Sequence, residues 1–234
     1  MGAMAPGHEL VVLPDADAVA RRGAAVIAAA ARAAVAELGA FALAVSGGRT
    51  PLAMFAQLGA EDVPWDRTGL WQVDERLAPE GDPDRNLTGL LAALPPAARG
   101  TVRPMPVTDA DVERAAVAYA EELPAPFDLV HLGLGDDGHT ASLVPGDPAL
   151  EVTDRDVVVT GEYRGRRRMT LTLPVLDRAR LVLWLVTGSD KAEVLPLLLD
   201  GDPAIPAGRV RAEHQLVVAD DAAAVGTRPT APRP

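Results

Sequence analysis

Short apolar runs, many of them β-branched, recur along the chain and alternate with stretches whose apolar positions are spaced for a helix. The runs predict strands over residues 9–13, 41–45, 69–73, 127–132, 157–160, 169–173, 181–186 and 215–218. Several are apolar at every position, as strands covered on both faces of a parallel sheet must be. Helices are predicted over residues 15–38, 51–58, 86–93, 109–123 and 189–199. Asp15 and Asp109 are residue types that cap helix N-termini, and Pro51 suits a first helical position. Loops rich in Pro and Gly around residues 78–84, 97–106 and 200–208 read as connections, and no internal repeat is visible. Strands alternating with helices from end to end predict an α/β fold, a mostly parallel, doubly wound, Rossmann-like sheet flanked by helices. One domain is expected over residues 1–225, followed by a flexible tail over 226–234 that holds three prolines.

Composition narrows the functional classes. With 234 residues, 48% hydrophobic and 24% charged, the chain is long enough for a sizeable core, and disorder is not expected. Its formal net charge of −11 argues against binding to nucleic acid or an anionic membrane, because the summed field repels phosphate polymers. Any phosphate ligand must therefore meet a local cluster of cations. The absence of cysteine excludes disulfides, thiolate metal sites and a thiol nucleophile, and agrees with a cytoplasmic protein. The first ten residues lack the apolar stretch of a signal peptide, and runs such as 181–186 are too short to cross a bilayer.

Four segments carry candidate chemistry, most of them at the carboxyl ends of predicted strands, where parallel sheets keep their ligands. In Ser46-Gly47-Gly48-Arg49-Thr50-Pro51 two glycines allow close backbone approach, two hydroxyls are on offer, and the next helix turns its free N–H groups toward an anion. A strand-to-helix turn without a ligand is the plainer alternative. Gly133-Leu134-Gly135-Asp136-Asp137-Gly138-His139 formally satisfies G-x-G-x-x-G, yet its two carboxylates would face a pyrophosphate, so a dinucleotide site is rejected. The loop reads instead as presenting Asp137 and His139 to a cleft, imidazole being the side chain suited to proton exchange near pH 7. The alternative makes Asp137 the cap of a helix over residues 140–143. Asp74-Glu75-Arg76 offers a proton acceptor beside a donor fork, or else a self-satisfied surface ion pair. Arg166-Arg167-Arg168 and Gly188-Ser189-Asp190-Lys191 supply cations able to close over a phosphate, with Lys191 favoured because it opens a helix at a strand end; a solvated turn would also explain the arginines. His131 reads as a packed core residue, while His8 and His214 lack partners nearby in sequence. No metal-ligand spacing and no G-x-S-x-G elbow is present.

Taken in order and with their spacing, these segments, together with Pro79, Asn86, Thr140-Ala141-Ser142-Leu143, Pro145-Gly146 and Ala192, resemble the 6-phosphogluconolactonases over residues 10–218. The resemblance implies a sugar-phosphate isomerase-like fold and hydrolysis of 6-phospho-D-glucono-1,5-lactone in the oxidative pentose phosphate pathway. It implies a small-molecule sugar-phosphate lactone as partner, no metal or organic cofactor, and a monomer or weak homodimer. Expected site roles are phosphate binding by Ser46, Gly47, Gly48, Arg49, Thr50, Lys191 and Arg168, proton transfer by His139 oriented by Asp137, a second proton-handling group in Asp74, and oxyanion support from Arg76. The related glucosamine-6-phosphate deaminases are the alternative, as is a sugar-phosphate-binding protein without catalysis. The deaminases carry glutamate five residues after the loop histidine, where this chain has Val144, and tend to an aromatic residue where it has Arg76; both differences favour the lactonase. Lactonases commonly place serine before the asparagine of the second motif, whereas this chain has Arg85.

Overall fold

The computed structural model of the protein describes residues 7–227, the side chain of Arg49 excepted. Of the tail expected from 226 onward, residues 228–234 lie outside the described residues. In chain order the elements are β1 Gly7–Leu13, α1 Ala16–Leu38, β2 Phe41–Val45, α2 Arg49–Gln57, β3 Thr68–Gln72, β4 Asp74–Arg76, α3 Asn86–Ala93, α4 Pro96–Arg99, β5 Val102–Arg103, α5 Val112–Glu121, β6 Leu129–Gly133, β7 Val157–Val159, β8 Arg168–Leu171, α6 Leu173–Asp177, β9 Val182–Val186, α7 Val194–Leu199 and β10 His214–Asp220.

Seven strands form a sheet in the order β1-β10-β9-β6-β2-β3-β5, and every pairing in it is parallel. The alternation of side chains along each strand sorts the core into two halves. On one face Leu43, Leu129, Leu183 and Leu185 pack under α1, α2 and α3, with Ile27, Met54, Phe55 and Leu90 as their counterparts. On the other, Ala44, Val130, Leu132 and Trp184 pack against α5, α6, α7 and a second, three-stranded antiparallel sheet ordered β4-β8-β7. Trp184 is fully buried and donates its indole N–H to Gln215 Oε1 at 2.9 Å, so its polar atom is satisfied inside the core.

Local chemistry sets the ends of the elements. Asp15 caps α1 by accepting from Ala18 N at 2.7 Å, and Gly39 closes it in the left-handed conformation at φ 81°. Several expected boundaries are corrected. The helix expected over 109–123 begins at Val112, because Asp111 accepts from Arg114 N while Asp109 caps only the turn before it. The helix expected from Pro51 starts two residues earlier, leaving Pro51 within the first turn, where its missing N–H costs nothing. The strand expected to reach residue 173 stops at Leu171, since Pro174 cannot donate to a ladder and instead opens α6. The helix expected over 189–199 divides into a 3₁₀ turn, Ser189–Lys191, and α7. The short elements α4 and β5 fall at the loop expected around 97–106, and β4 is a strand for which no element was expected.

Candidate active site

The carboxyl ends of β2, β6 and β9, three neighbours in the parallel sheet, converge on one cleft. After β2, Gly48 takes φ 117°, a conformation that side-chain-bearing residues rarely adopt, and turns the chain into α2, where as N-cap it offers no side chain to the helix's first N–H groups. Gly47 is fixed by packing: a Cβ there would stand 2.1 Å from Asn86 Oδ1. The buried Ser46 hydroxyl has no hydrogen-bond partner among the described residues, and Thr50 Oγ1 lies 2.6 Å from Thr187 Oγ1. After β9, Gly188 at φ 98° donates its N–H to the Asp220 carboxylate at 3.1 Å, and Lys191 Nζ sits 2.8 Å from Asp190 Oδ2. The side chain of Arg49 lies outside the described residues.

After β6 the glycine loop folds on itself through Gly135 N to His139 O at 2.8 Å and Gly138 N to Gly135 O at 3.1 Å. A Cβ on Gly135 would stand 2.0 Å from His139 Nδ1, so this glycine makes room for the imidazole. Residues 140–143 are not helical; Thr140 and Leu143 bridge each other and Thr140 Oγ1 donates to Gly133 O, which overturns the helix-cap alternative for Asp137. Asp137 Oδ1 accepts from His139 Nδ1 at 2.5 Å, and Tyr163 Oη donates to Asp137 Oδ2 at 2.9 Å. Partial burial raises the Asp137 pKa, but the bonds from His139 and Tyr163 outweigh it and hold the carboxyl at about 2. Asp137 is thus an anion that fixes the imidazole, leaving Nε2 as the ring nitrogen free for the cleft. Asp136, Asp137 and His139 offer ligand atoms within 4.8 Å of one another, yet Asp136 pairs with Arg164 at 3.0 Å and Asp137 accepts from His139 N, His139 Nδ1 and Tyr163 Oη, so both carboxylates already have partners.

The acidic pair after β3 is buried and is not a surface ion pair. Asp74 is 5% and Glu75 0% exposed. Asp74 accepts from Ser142 Oγ at 2.6 Å and Asn86 Nδ2 at 3.2 Å. Burial raises its pKa, with Ser142, Arg168 and Arg76 opposing. Glu75 accepts from Gln72 Nε2 and from the backbone N–H groups of Arg76, Asn86 and Leu87, and its countercharge is Arg85, whose Nε lies 3.4 Å away. The residue that departs from the lactonase pattern therefore neutralises a carboxylate that ties down the start of α3. Arg76 leans on Asn86 Oδ1 at 2.9 Å and Asp84 O at 2.7 Å.

The three consecutive arginines separate. Arg166 pairs with Asp82 and Asp84, each at 3.2 Å, and Arg167 with Glu113 at 3.0 Å. Arg168 has no such carboxylate among the described residues; its buried Nε lacks a hydrogen-bond partner and its guanidinium lies 5.0 Å from the centre of the Tyr163 ring.

These groups share a cleft of about 680 Å³, lined by Ser46, Gly47, Gly48, Thr50, Asp74, Arg76, His139, Arg168 and Lys191 among others, with Asp137 behind His139. That volume suits a small phosphorylated ligand. The cavity wall carries four cations, Arg76, Arg164, Arg168 and Lys191, against four carboxylates, Asp74, Asp136, Asp190 and Asp220, a local balance that contrasts with the acidic chain as a whole. Asn86, Ser142, Tyr163, Arg164, Thr187 and Asp220 also shape the cleft or brace its walls; in the sequence Asn86 and Ser142 stood out only as motif residues without a role, and the other four did not stand out. His131 is buried in β6, its pKa pushed down to about 3 by desolvation, and it meets the cradle at Ser46 N, which lies 3.2 Å from its carbonyl oxygen and 3.4 Å from its Nδ1.

Residues 14–219 match the family described as glucosamine-6-phosphate isomerases/6-phosphogluconolactonase. A 6-phosphogluconolactonase of Synechocystis sp. is 37% identical over 217 residues, 84% of this chain and 88% of that protein. The GDH/6PGL endoplasmic bifunctional protein of Oryctolagus cuniculus is 44% identical over 188 residues, 74% of this chain, which spans 24% of that longer protein. Among solved structures, 6-phosphogluconolactonase from Thermotoga maritima shares the fold with a TM-score of 0.82 at 27% identity, covering 92% of this chain and 100% of that one.

Proposed function

The chain belongs to the glucosamine-6-phosphate isomerase/6-phosphogluconolactonase family, and on that premise we propose that it hydrolyses 6-phospho-D-glucono-1,5-lactone to 6-phospho-D-gluconate. One observation carries the reading: an anion cradle and a carboxylate-braced imidazole line the same cleft. The 6-phosphate sits at Ser46 to Thr50 with Lys191 over it, so binding energy remote from the reacting carbon sets the position of the lactone carbonyl. The guanidinium groups of Arg76 and Arg168, register partners across β4 and β8, supply positive charge to the phosphate and to the oxyanion that develops on the C1 oxygen.

His139 Nε2 takes a proton from the water that attacks C1. The resulting imidazolium is stabilised by Asp137, and the proton passes to the ring oxygen as the bond from C1 to that oxygen breaks, leaving an alcohol and a carboxylic acid that ionises to carboxylate and releases a proton to solvent. Asp74, biased by burial toward its neutral form, is the second proton-handling group. A lactone is an activated ester, so this chemistry runs without a covalent nucleophile, metal or organic cofactor. Val144 is buried where the deaminases carry their relay glutamate, which favours lactone hydrolysis over deamination. No helix of the described residues is long and apolar enough to cross a membrane, and we place the enzyme in the cytoplasm, acting as one unit over residues 1–225 on a freely diffusing sugar phosphate.

The test is acid release from the lactone, with spontaneous hydrolysis subtracted, beside ammonia release from glucosamine 6-phosphate. Lactone turnover without ammonia, and a kcat lowered roughly 10²- to 10⁴-fold in His139→Ala, is the expected result. A variant with near-normal kcat removes His139 from the mechanism.

A further inference from the structure

Tyr163 stands directly against the His139–Asp137 pair yet carries none of the proton transfers proposed for it. Tyr163 and Arg166 bridge each other through backbone bonds of 3.0 and 3.3 Å, and the two residues between them take positive φ, 51° at Arg164 and 80° at Gly165. This is the tight reversal that matches the twist of two antiparallel strands. Arg166 pins the turn from outside through Asp82 and Asp84. The phenol is thereby presented to the dyad from a braced hairpin tip. Its Oη donates to Asp137 Oδ2 at 2.9 Å, its ring meets the His139 ring edge-on at 5.6 Å and 63°, and the guanidinium groups of Arg164 and Arg168 lie 5.1 and 5.0 Å from its centre.

We propose that Tyr163 is a positioning residue of this site: its hydroxyl holds the outer oxygen of Asp137 so that the inner one keeps the imidazole aimed at the cleft, and its ring seats Arg164 and Arg168 beside the same imidazole. The side chain of Asp137 is 34% exposed, so without that donor the carboxylate would turn toward water and carry the ring with it. Burial and the neighbouring Asp137 both raise the Tyr163 pKa, which keeps the phenol a donor at neutral pH. The charged groups facing the pair are Asp136, Arg164 and Arg168; Arg164 is tied to Asp136, and Arg168 reaches the pair across the ring.

The inference rests on His139 acting as the base, and the experiment separates the two. The measurements are kcat, KM and the pH dependence of kcat/KM for wild type, Tyr163→Phe, Tyr163→Leu and His139→Ala, with thermal unfolding to verify the fold. Tyr163→Phe keeps the ring and loses the donor. Its kcat should fall about tenfold, the low end for a hydrogen bond to a charged group, with KM changed less than about twofold. Even turned toward water, the Asp137 carboxylate carries more negative charge once the phenol donor is gone, so an imidazolium beside it is favoured and the acid limb should move to higher pH. Tyr163→Leu should show the same shift and, having removed the seat of the two guanidinium groups, a raised KM as well. In an Asp137→Asn background Tyr163→Phe should change nothing further. Wild-type kcat and an unmoved acid limb in Tyr163→Phe overturn the inference, while normal turnover by His139→Ala overturns the reading beneath it.

Discussion

A single methyl group at Gly135 tests the dyad without removing any of its atoms. Gly135 has no left-handed backbone requirement, so Gly135→Ala is permitted by the main chain and forbidden only by its neighbour. The added carbon would stand 2.0 Å from His139 Nδ1 and 2.3 Å from its Cε1, where real contacts do not come under 3.0 Å. The ring must therefore retreat by about 1 Å or more, and the bond of 2.5 Å to Asp137 opens beyond good hydrogen-bond range. The imidazole has somewhere to go, since it borders the cleft and its side chain is 19% exposed, so the fold should survive with a fall in Tm of about 2–4 °C. A displacement of that size at a reacting group costs about 10²-fold in rate. The expected outcome, measured as acid release in a pH-stat, is kcat lowered about 100-fold with KM little changed, because the cradle residues are untouched. Gly135→Ala combined with His139→Ala should be no slower than His139→Ala alone, since residues acting as a unit are not additive. A kcat within about threefold of wild type, or full additivity in the double variant, would refute the claim that the geometry of His139 sets the rate.

Lys191→Ala should raise KM about tenfold or more with little change in kcat, the penalty shrinking as salt rises from 20 to 200 mM; equal KM values for phosphorylated and unphosphorylated lactone in the wild type would deny the anchor. Arg85→Ala leaves Glu75 as a fully buried charge supported only by neutral donors, and should cost about 3 kcal/mol in urea unfolding. Glu75→Gln combined with Arg85→Met should recover much of that loss. His131 is held neutral in the folded state down to about pH 3, whereas the unfolded chain binds its proton near the ordinary histidine value of 6.5. Between those limits the unfolded state carries the extra proton, so this residue makes stability fall by about 1.4 kcal/mol for each unit of acidification. Urea unfolding of His131→Leu at pH 7 and pH 5 should show that slope removed.

What the sequence revealed and what it concealed divide along one physical line. Runs such as 41–45 and 181–186 were legible because both faces of those strands are covered, which leaves no polar position to blur the period. The residues at their ends were legible because the carboxyl edge of a parallel sheet is a predictable place. Concealed were features whose logic lies between segments far apart in the chain. Asp74-Glu75-Arg76 has the polarity of a loop and is a buried strand only because Ser142, 68 residues away, Asn86 and Arg85 satisfy its carboxylates. Tyr163 and Arg164 occupy a turn that Asn or Asp before Gly would have announced and arginine does not. Arg166, Arg167 and Arg168 are alike in sequence, and only the positions of Asp82, Asp84 and Glu113 decide that the first two form ion pairs at the surface while the third turns toward the cleft. The same division orders the active site. Its anion seat and its imidazole are local motifs, each written in one loop, whereas the groups that brace them come from scattered segments: Asn86 opening α3, Ser142 beyond β6, Thr187 after β9, Asp220 ending β10 and Tyr163 in the turn before β8. Substitutions in the loops should therefore act on single steps of the reaction, and substitutions in the brace should shift the pH profile and stability together.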